Sequence, residues 1–386
     1  MPVQGAGGDG GDVRFHHRKG QAEAVFVAWR DLKFAKGRFA LMGTVIVLLT
    51  LLVGMLSGLT AGLSRQSISA ITGLPADRIA FPAPGDGQDL SYANSTVTEK
   101  QWQQWAKSPG VTGAEPLGIT TTRATAGDHT VGVSAFGVQP GSHLAPDGGK
   151  VNEHAVVLST TAAGDLGLRA GGTFTLAGRN LTVAAVRGDA SFSHTPVVWT
   201  SLDVWRKTGP PTGKSDSPTA TVIALNTTAD ADITAADQAA GTRTVSKDDS
   251  LSAIGSYTSE NGSLQLMRGF LFALSALVIG AFFTVWTMQR SSDIAVLKAL
   301  GASTAHLLKD ALGQAVVLLV GGTLIGSGIA AGIGATVAGS AVPFVLTPAT
   351  VLVPAAVMIL LGALGAALSI RRITSVDPLT ALGSAR

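Results

Sequence analysis

The sequence predicts a multi-pass α-helical membrane protein: four transmembrane helices, with an α+β extracytoplasmic domain inserted between helices 1 and 2. Three observations predict it. Residues 39–64, 269–289, 311–347 and 349–370 contain no Asp, Glu, Lys or Arg, and each block reaches the roughly 20 residues needed to cross about 30 Å of hydrocarbon. Between the first two blocks lies a long polar segment with short apolar, Thr-rich runs. Lys and Arg crowd the other edges of the blocks. The 386 residues are only 14% charged, with a mean hydropathy of +0.35, a composition unlike that of a soluble domain.

Residues 1–20 are Gly-rich, then His/Arg/Lys-rich, and read as a disordered cytoplasmic leader. Residues 21–38 read as an interfacial amphipathic helix, with Val25, Phe26, Trp29 and Leu32 on one stripe. Residues 39–64 form the first span. Its apolar run exceeds the roughly 7–15 residues of a signal-peptide core, so it reads as an anchor. The extracytoplasmic domain covers 65–265 and span two 266–289. A cytoplasmic segment follows at 290–310, then spans at 311–341 and 349–370 and a cytoplasmic tail at 371–386. Pro343 and Pro348 mark the break between the last two spans.

Orientation follows the Lys/Arg bias near the spans. The N-terminal segment carries Arg14, Arg18, Lys19, Arg30, Lys33, Lys36 and Arg38. The loop after span two has Arg290, Lys298 and Lys309, and the tail has Arg371, Arg372 and Arg386. In residues 65–265, by contrast, acidic side chains outnumber basic ones. Both termini and residues 290–310 are therefore predicted on the cytoplasmic side of a bacterial plasma membrane, with the large insert outside. The basic character belongs to membrane-facing edges and argues for contact with lipid rather than nucleic acid.

Within the insert, Thr98 to Gln101 fits a capping box opening a helix with Trp102 and Trp105, both expected in the core. Strands are expected at 117–123, 130–138, 155–158, 173–176, 181–186, 197–199 and 220–225, with helices at 160–168 and 229–240. Ala177-Gly178-Arg179-Asn180 reads as a hairpin turn. No cysteine is present, and a domain of this size needs no disulfide staples.

Several chemistries are excluded. The chain has no Walker-type phosphate loop, no His-Glu-x-x-His or Cys-x-x-Cys spacing and no Gly-x-Ser-x-Gly elbow, so it is read as neither an ATPase nor another enzyme, with no cofactor or metal of its own. The seven histidines are scattered. The four apolar blocks, free of Asp, Glu, Lys and Arg, argue against a proton- or sodium-coupled carrier. In span three, Gly322-x-x-x-Gly326 and Gly328-x-x-x-Gly332 suit close helix packing.

Residues 290–303 are the most informative run. Ile294, Leu297 and Leu300 recur at helical spacing, Asp293 and Lys298 supply polar contacts, and Gly301 suits the helix end. A short helix hung between two spans outside the bilayer needs a partner to push it. This run, in "RSSDIAVLKALGASTAHLLKDALGQ", resembles the cytoplasmic loop of FtsX/MacB-type permeases of ABC transporters, with Asp293 where Glu is usual. "VDPLTAL" resembles that family's ending and "AWRDLKFAKGRFAL" its entry to span one. "AVVLSTTAAGDLGLRAGGTFTLAGRNLTVAAV" resembles the MacB-like core domain.

The resemblance implies a pair of permease chains bound to separately encoded ATPase subunits that hold the ATP. It places Asp293, Ile294, Leu297, Lys298, Leu300 and Gly301 at the ATPase contact, with Trp29, Leu379 and Leu382 as secondary contacts. ATP-driven movement of the outer domain would then export or extract a lipid, lipoprotein, antibiotic, peptide or haem. For haem, Met55, Met267 and Tyr257 are the soft or oxygen groups near the spans. The competing reading is an FtsX-like regulator whose outer domain activates a cell-wall hydrolase without transport.

Overall fold

The computed structural model describes residues 36–208, 219–289, 296, 303–337 and 342–374. The chain divides into two compact units, Met1–Leu59 with Gln265–Arg386, and Thr60–Leu264. Both boundaries fall inside continuous helices rather than in linkers.

Helix α1 (Lys36–Thr72) has 37 residues. Its apolar block ends at Ser64, yet the helix continues through a polar stretch to Thr72. The reason is burial of another kind: Ala70, Ile71 and Leu74 sink into the core of the outer unit, so a polar-flanked stripe replaces lipid as the apolar partner.

The outer unit then builds a mixed sheet in which β1 is Arg78–Pro82, β2 Val111–Ala126, β3 His129–Val138, β4 Ala155–Leu158, β5 Thr173–Leu176, β6 Arg179–Val186, β7 Ser191–Phe192, β8 Thr195–Ser201, β9 Val222–Thr227 and β10 Thr242–Ser246. Helices α2 (Glu99–Ala106), α3 (Thr160–Asp165), α4 (Leu202–Thr208) and α5 (Ile233–Ala240) pack on it. The order is β10-β1-β9-β2-β3-β8-β4-β6-β5, with β7 on β8. The long β2 pairs through its first half with β9 and through its second with β3. Ala124 and Thr125 of β2 also pair with β5, which closes β2-β3-β8-β4-β6-β5 into a six-stranded circuit.

Side chains alternate between faces as a pleated strand requires. Ile79 and Phe81 of β1 and Val222 and Ala224 of β9 join the core that receives the end of α1. Ala80, Ile223 and Leu225 point the other way, onto Trp105 and Trp205. Trp105 is fully buried, and its indole N–H donates to the Thr242 hydroxyl at 2.9 Å. Thr98 caps α2 as expected, with its side chain and the Gln101 side chain exchanging bonds with each other's backbone N–H. Ala177 and Gly178 take φ of 47° and 82° in the β5–β6 hairpin, the left-handed pair that a two-residue turn demands.

Some elements depart from expectation. α3 stops at Asp165 rather than running to Leu168, because Gly167 takes a left-handed φ of 66°. β1, β7, β10 and α4 were not anticipated. Tyr92, at 2% exposure, donates to Ser250 at 2.9 Å, and burial pushes its hydroxyl above the ordinary tyrosine range despite that bond.

In the membrane unit, α6 (Gly255–Gln289), α7 (Thr304–Val337) and α8 (Pro348–Thr374) join α1. These four are long and apolar enough to cross a bilayer. At 1.5 Å per residue, the 35 residues of α6 span about 52 Å, well beyond about 30 Å of hydrocarbon. The surplus is its polar first third, which belongs to the outer unit.

Candidate functional site

The predicted ATPase-contact residues Asp293, Ile294, Leu297, Lys298, Leu300 and Gly301 lie outside the described residues, as do Trp29, Leu379 and Leu382. Within that run Val296 is helical and 60% exposed. What the structure does describe is the scaffold from which the segment hangs: the end of α6 at Gln289 and the start of α7 at Thr304.

The end of α6 is fixed to the start of α1 by aromatic rings. Trp286 meets Phe39 edge-on at 6.2 Å between centroids and Phe283 at 6.0 Å. Such pairs add about 0.5–1.5 kcal/mol beyond the area they bury. Nothing in apolar periodicity singles out Phe39 or Trp286, because both sit in uniformly apolar surroundings.

α7 packs directly on α1 through two glycines. A Cβ at Gly322 would stand 2.7 Å from Ile46 Cγ2, and one at Gly326 would stand 2.7 Å from the Val47 carbonyl oxygen. Gly328 and Gly332 meet nothing within 4 Å. Of the two small-residue motifs, the first therefore forms a helix contact and the second does not. Where hydrocarbon replaces water, such close backbone approach is what holds helices together.

α8 closes on its neighbours in the same way. Gly362 lies against Leu319 of α7, and Gly365 faces Gly280 of α6. The Thr284 and Ser369 hydroxyls lie 2.9 Å apart and both reach the Gly280 carbonyl. A hydrogen bond between membrane helices averages about 0.6 kcal/mol. Between α7 and α8, Phe344 wedges between Gly58 and Gly334, and the Val345 N–H donates to the Gly58 carbonyl at 3.1 Å. The apolar stretches 39–64, 269–289, 311–337 and 348–369 of these helices contain no Asp, Glu, Lys or Arg; Arg65, Glu260 and Arg268 lie on the same helices outside those stretches.

The residues considered for haem fall in different places. Met55 is half-buried on α1 and Met267 is 55% exposed on α6, both in the membrane unit. Tyr257 belongs to the outer unit, where its ring packs against the core. Among the described residues no group of three His, Cys, Asp or Glu is placed to hold a metal ion.

Comparison with known proteins covers both units. Residues 39–243 match the MacB-like periplasmic core domain, and residues 266–378 match the FtsX-like permease C-terminal region. A Staphylococcus haemolyticus protein that carries the name hemin transport system permease protein HrtB is 26% identical, over 92% of this chain and 99% of that one. An uncharacterized ABC transporter permease of Mycobacterium tuberculosis is 24% identical over 93% and 99%. Among solved structures, the periplasmic region of MacB from Actinobacillus actinomycetemcomitans aligns with 47% of this chain and 94% of its own, at 14% identity and a TM-score of 0.34. A bundle of four apolar helices, an α/β outer unit inserted after the first, and two family regions in that order leave one assignment: the chain belongs to the FtsX/MacB-type permeases of ABC transporters.

Proposed function

We propose that this permease couples a separate cytoplasmic ATPase to movement of its outer unit, and so exports or extracts a hydrophobic or amphipathic substrate. The ATPase binds at Asp293, Ile294, Leu297, Lys298, Leu300 and Gly301, with Trp29, Leu379 and Leu382 beside them. ATP is held by that partner, and two permease chains assemble around the pathway, with both termini cytoplasmic. Hemin, named for the staphylococcal relatives, is the first substrate to test.

One observation carries the reading. Helices α1 and α6 run unbroken from apolar spans into the outer unit, where Ile71 and Leu74, just past the membrane block, are buried in its core. Each helix crosses from one unit to the other as a single element, and displacement of its span is proposed to reach the outer unit along it. The absence of Asp, Glu, Lys and Arg from residues 39–64, 269–289, 311–337 and 348–369 supports the same reading, since intramembrane ionisable groups are the usual mark of an ion-coupled path.

The test is deletion of the gene followed by challenge with hemin, antibiotics and antimicrobial peptides. Hypersensitivity to one class, restored by the wild-type gene but not by Asp293→Lys, is expected. Unchanged sensitivity together with altered cell-wall hydrolysis would transfer the protein to the regulatory reading.

A further inference from the structure

One short turn of the outer unit touches both helices that enter it. Ser193 and His194 join β7 to β8 with φ of 48° and 63°. Two successive non-glycine residues in left-handed conformation form a tight hairpin that Asn-Gly would adopt with less strain. Backbone strain of this kind persists where surrounding contacts over-determine it, often at functional joints.

Those contacts are present on three sides. Toward the core, Phe192 meets Tyr92 and Phe136 edge-on, each at 5.6 Å between centroids, and Phe136 continues to Trp199 of β8 at 5.2 Å. Toward α1, the Ser193 N–H donates to the Ser67 carbonyl at 3.0 Å and the His194 N–H to the Gln66 carbonyl at 3.2 Å. The Ser191 N–H donates to the Ser69 hydroxyl at 2.9 Å. Toward α6, the Ser193 and Ser256 hydroxyls lie 2.8 Å apart.

His194 joins the two helices. Its Nε2 lies 2.9 Å from the Ser67 hydroxyl of α1 and 2.8 Å from Glu260 Oε2 of α6. Both partners meet the same ring nitrogen. A hydrolytic relay places serine and carboxylate on opposite ring nitrogens, so this cluster is no nucleophile. An Nε2–H shared between two acceptors is instead a bridge, since one nitrogen cannot donate to Glu260 and accept from Ser67 at once.

We propose that the Ser193–His194 turn is the joint through which α1 and α6 act on the outer sheet, and that His194 is the positioning residue binding both helices to it. The proposal rests on the mechanical-coupling reading above. Phe192 fixes the joint to the aromatic core of the sheet, and the hydroxyls and imidazole fix it to the helices.

The test uses the full chain assembled with its ATPase in nanodiscs, following ATP-dependent hydrogen exchange in the β5–β6 hairpin. His194→Ala and, separately, Glu260→Ala are expected to keep ATP hydrolysis while reducing that exchange response by about fivefold, the equivalent of about 1 kcal/mol of lost coupling. Ser193→Cys with Ser256→Cys supplies a staple where the hydroxyls now meet. Added to His194→Ala, it should restore the response, and reductant should abolish it again. A full response in both single variants, or no recovery with the staple formed, would overturn the joint. A wild-type complex that hydrolyses ATP without any outer response would instead overturn the coupling reading itself.

Discussion

Alanine at Gly326 separates helix contact from mere glycine richness. The added Cβ would meet the Val47 carbonyl oxygen at 2.7 Å and Thr50 Cβ at 2.8 Å. The first is backbone and the second belongs to a buried residue, so neither yields by a rotamer change. Overpacking of this kind costs about 1–3 kcal/mol. At Gly328, where nothing lies within 4 Å, alanine removes only the helix penalty of glycine and should gain up to about 1 kcal/mol. With about 2–4 °C per kcal/mol for a unit of this size, Gly326→Ala should lower the midpoint by roughly 2–12 °C, while Gly328→Ala leaves it unchanged or raises it. Thermal unfolding of the purified full chain in one detergent reads both. Equal shifts for the two variants would refute the assignment of the α1–α7 contact to Gly322 and Gly326.

Further predictions address the outer unit, the orientation and the partner. Ile71→Ala deletes a fully buried side chain at the end of α1 and should destabilise the outer unit by about 2–5 kcal/mol, read by urea unfolding of its Trp fluorescence. Burial raises the folded-state pKa of Tyr92. Its contribution to stability is therefore complete below the unfolded value of about 10 and is lost as pH rises above it. Tyr92→Phe should flatten that alkaline loss, and an unchanged pH profile would contradict it. Because the chain has no cysteine, Ser215→Cys should label with an impermeant maleimide on intact cells and Ser303→Cys only after lysis; the reverse pattern would invert the orientation. Paired charge reversal, Asp293→Lys with Lys298→Glu, should reduce ATPase co-purification several-fold, about 1–2 kcal/mol of lost contact.

The membrane helices were legible because lipid selects composition: an uncharged run long enough to span has few other uses. The same signal stopped short at Ser64, since Ile71 and Leu74 are buried by protein and need only a stripe. The start of α6 at Gly255 was hidden for a related reason, its first turns being polar and glycine-containing. In the outer unit, local chemistry was readable where one residue decides the geometry, as at Thr98 with Gln101 or at Ala177-Gly178. β1 and β10 were not, because five-residue strands without clear alternation owe their existence to partners far along the chain.

The site was legible to a different extent. The run from Asp293 to Gly301 stands out by motif, whereas Phe39 against Trp286 is a pairing across 247 positions that no local pattern announces. The Ser193–His194 turn lacks the glycine or asparagine that marks left-handed backbone, so only its dihedral angles reveal it.

The most direct test of mechanical coupling is hydrogen exchange across the outer unit of the permease–ATPase complex in nanodiscs, with and without ATP. The account predicts ATP-dependent changes in the outer sheet that disappear with a hydrolysis-deficient ATPase and with Lys298→Glu. Exchange that ignores ATP while hydrolysis proceeds, or that responds equally when Lys298 is reversed, would contradict it.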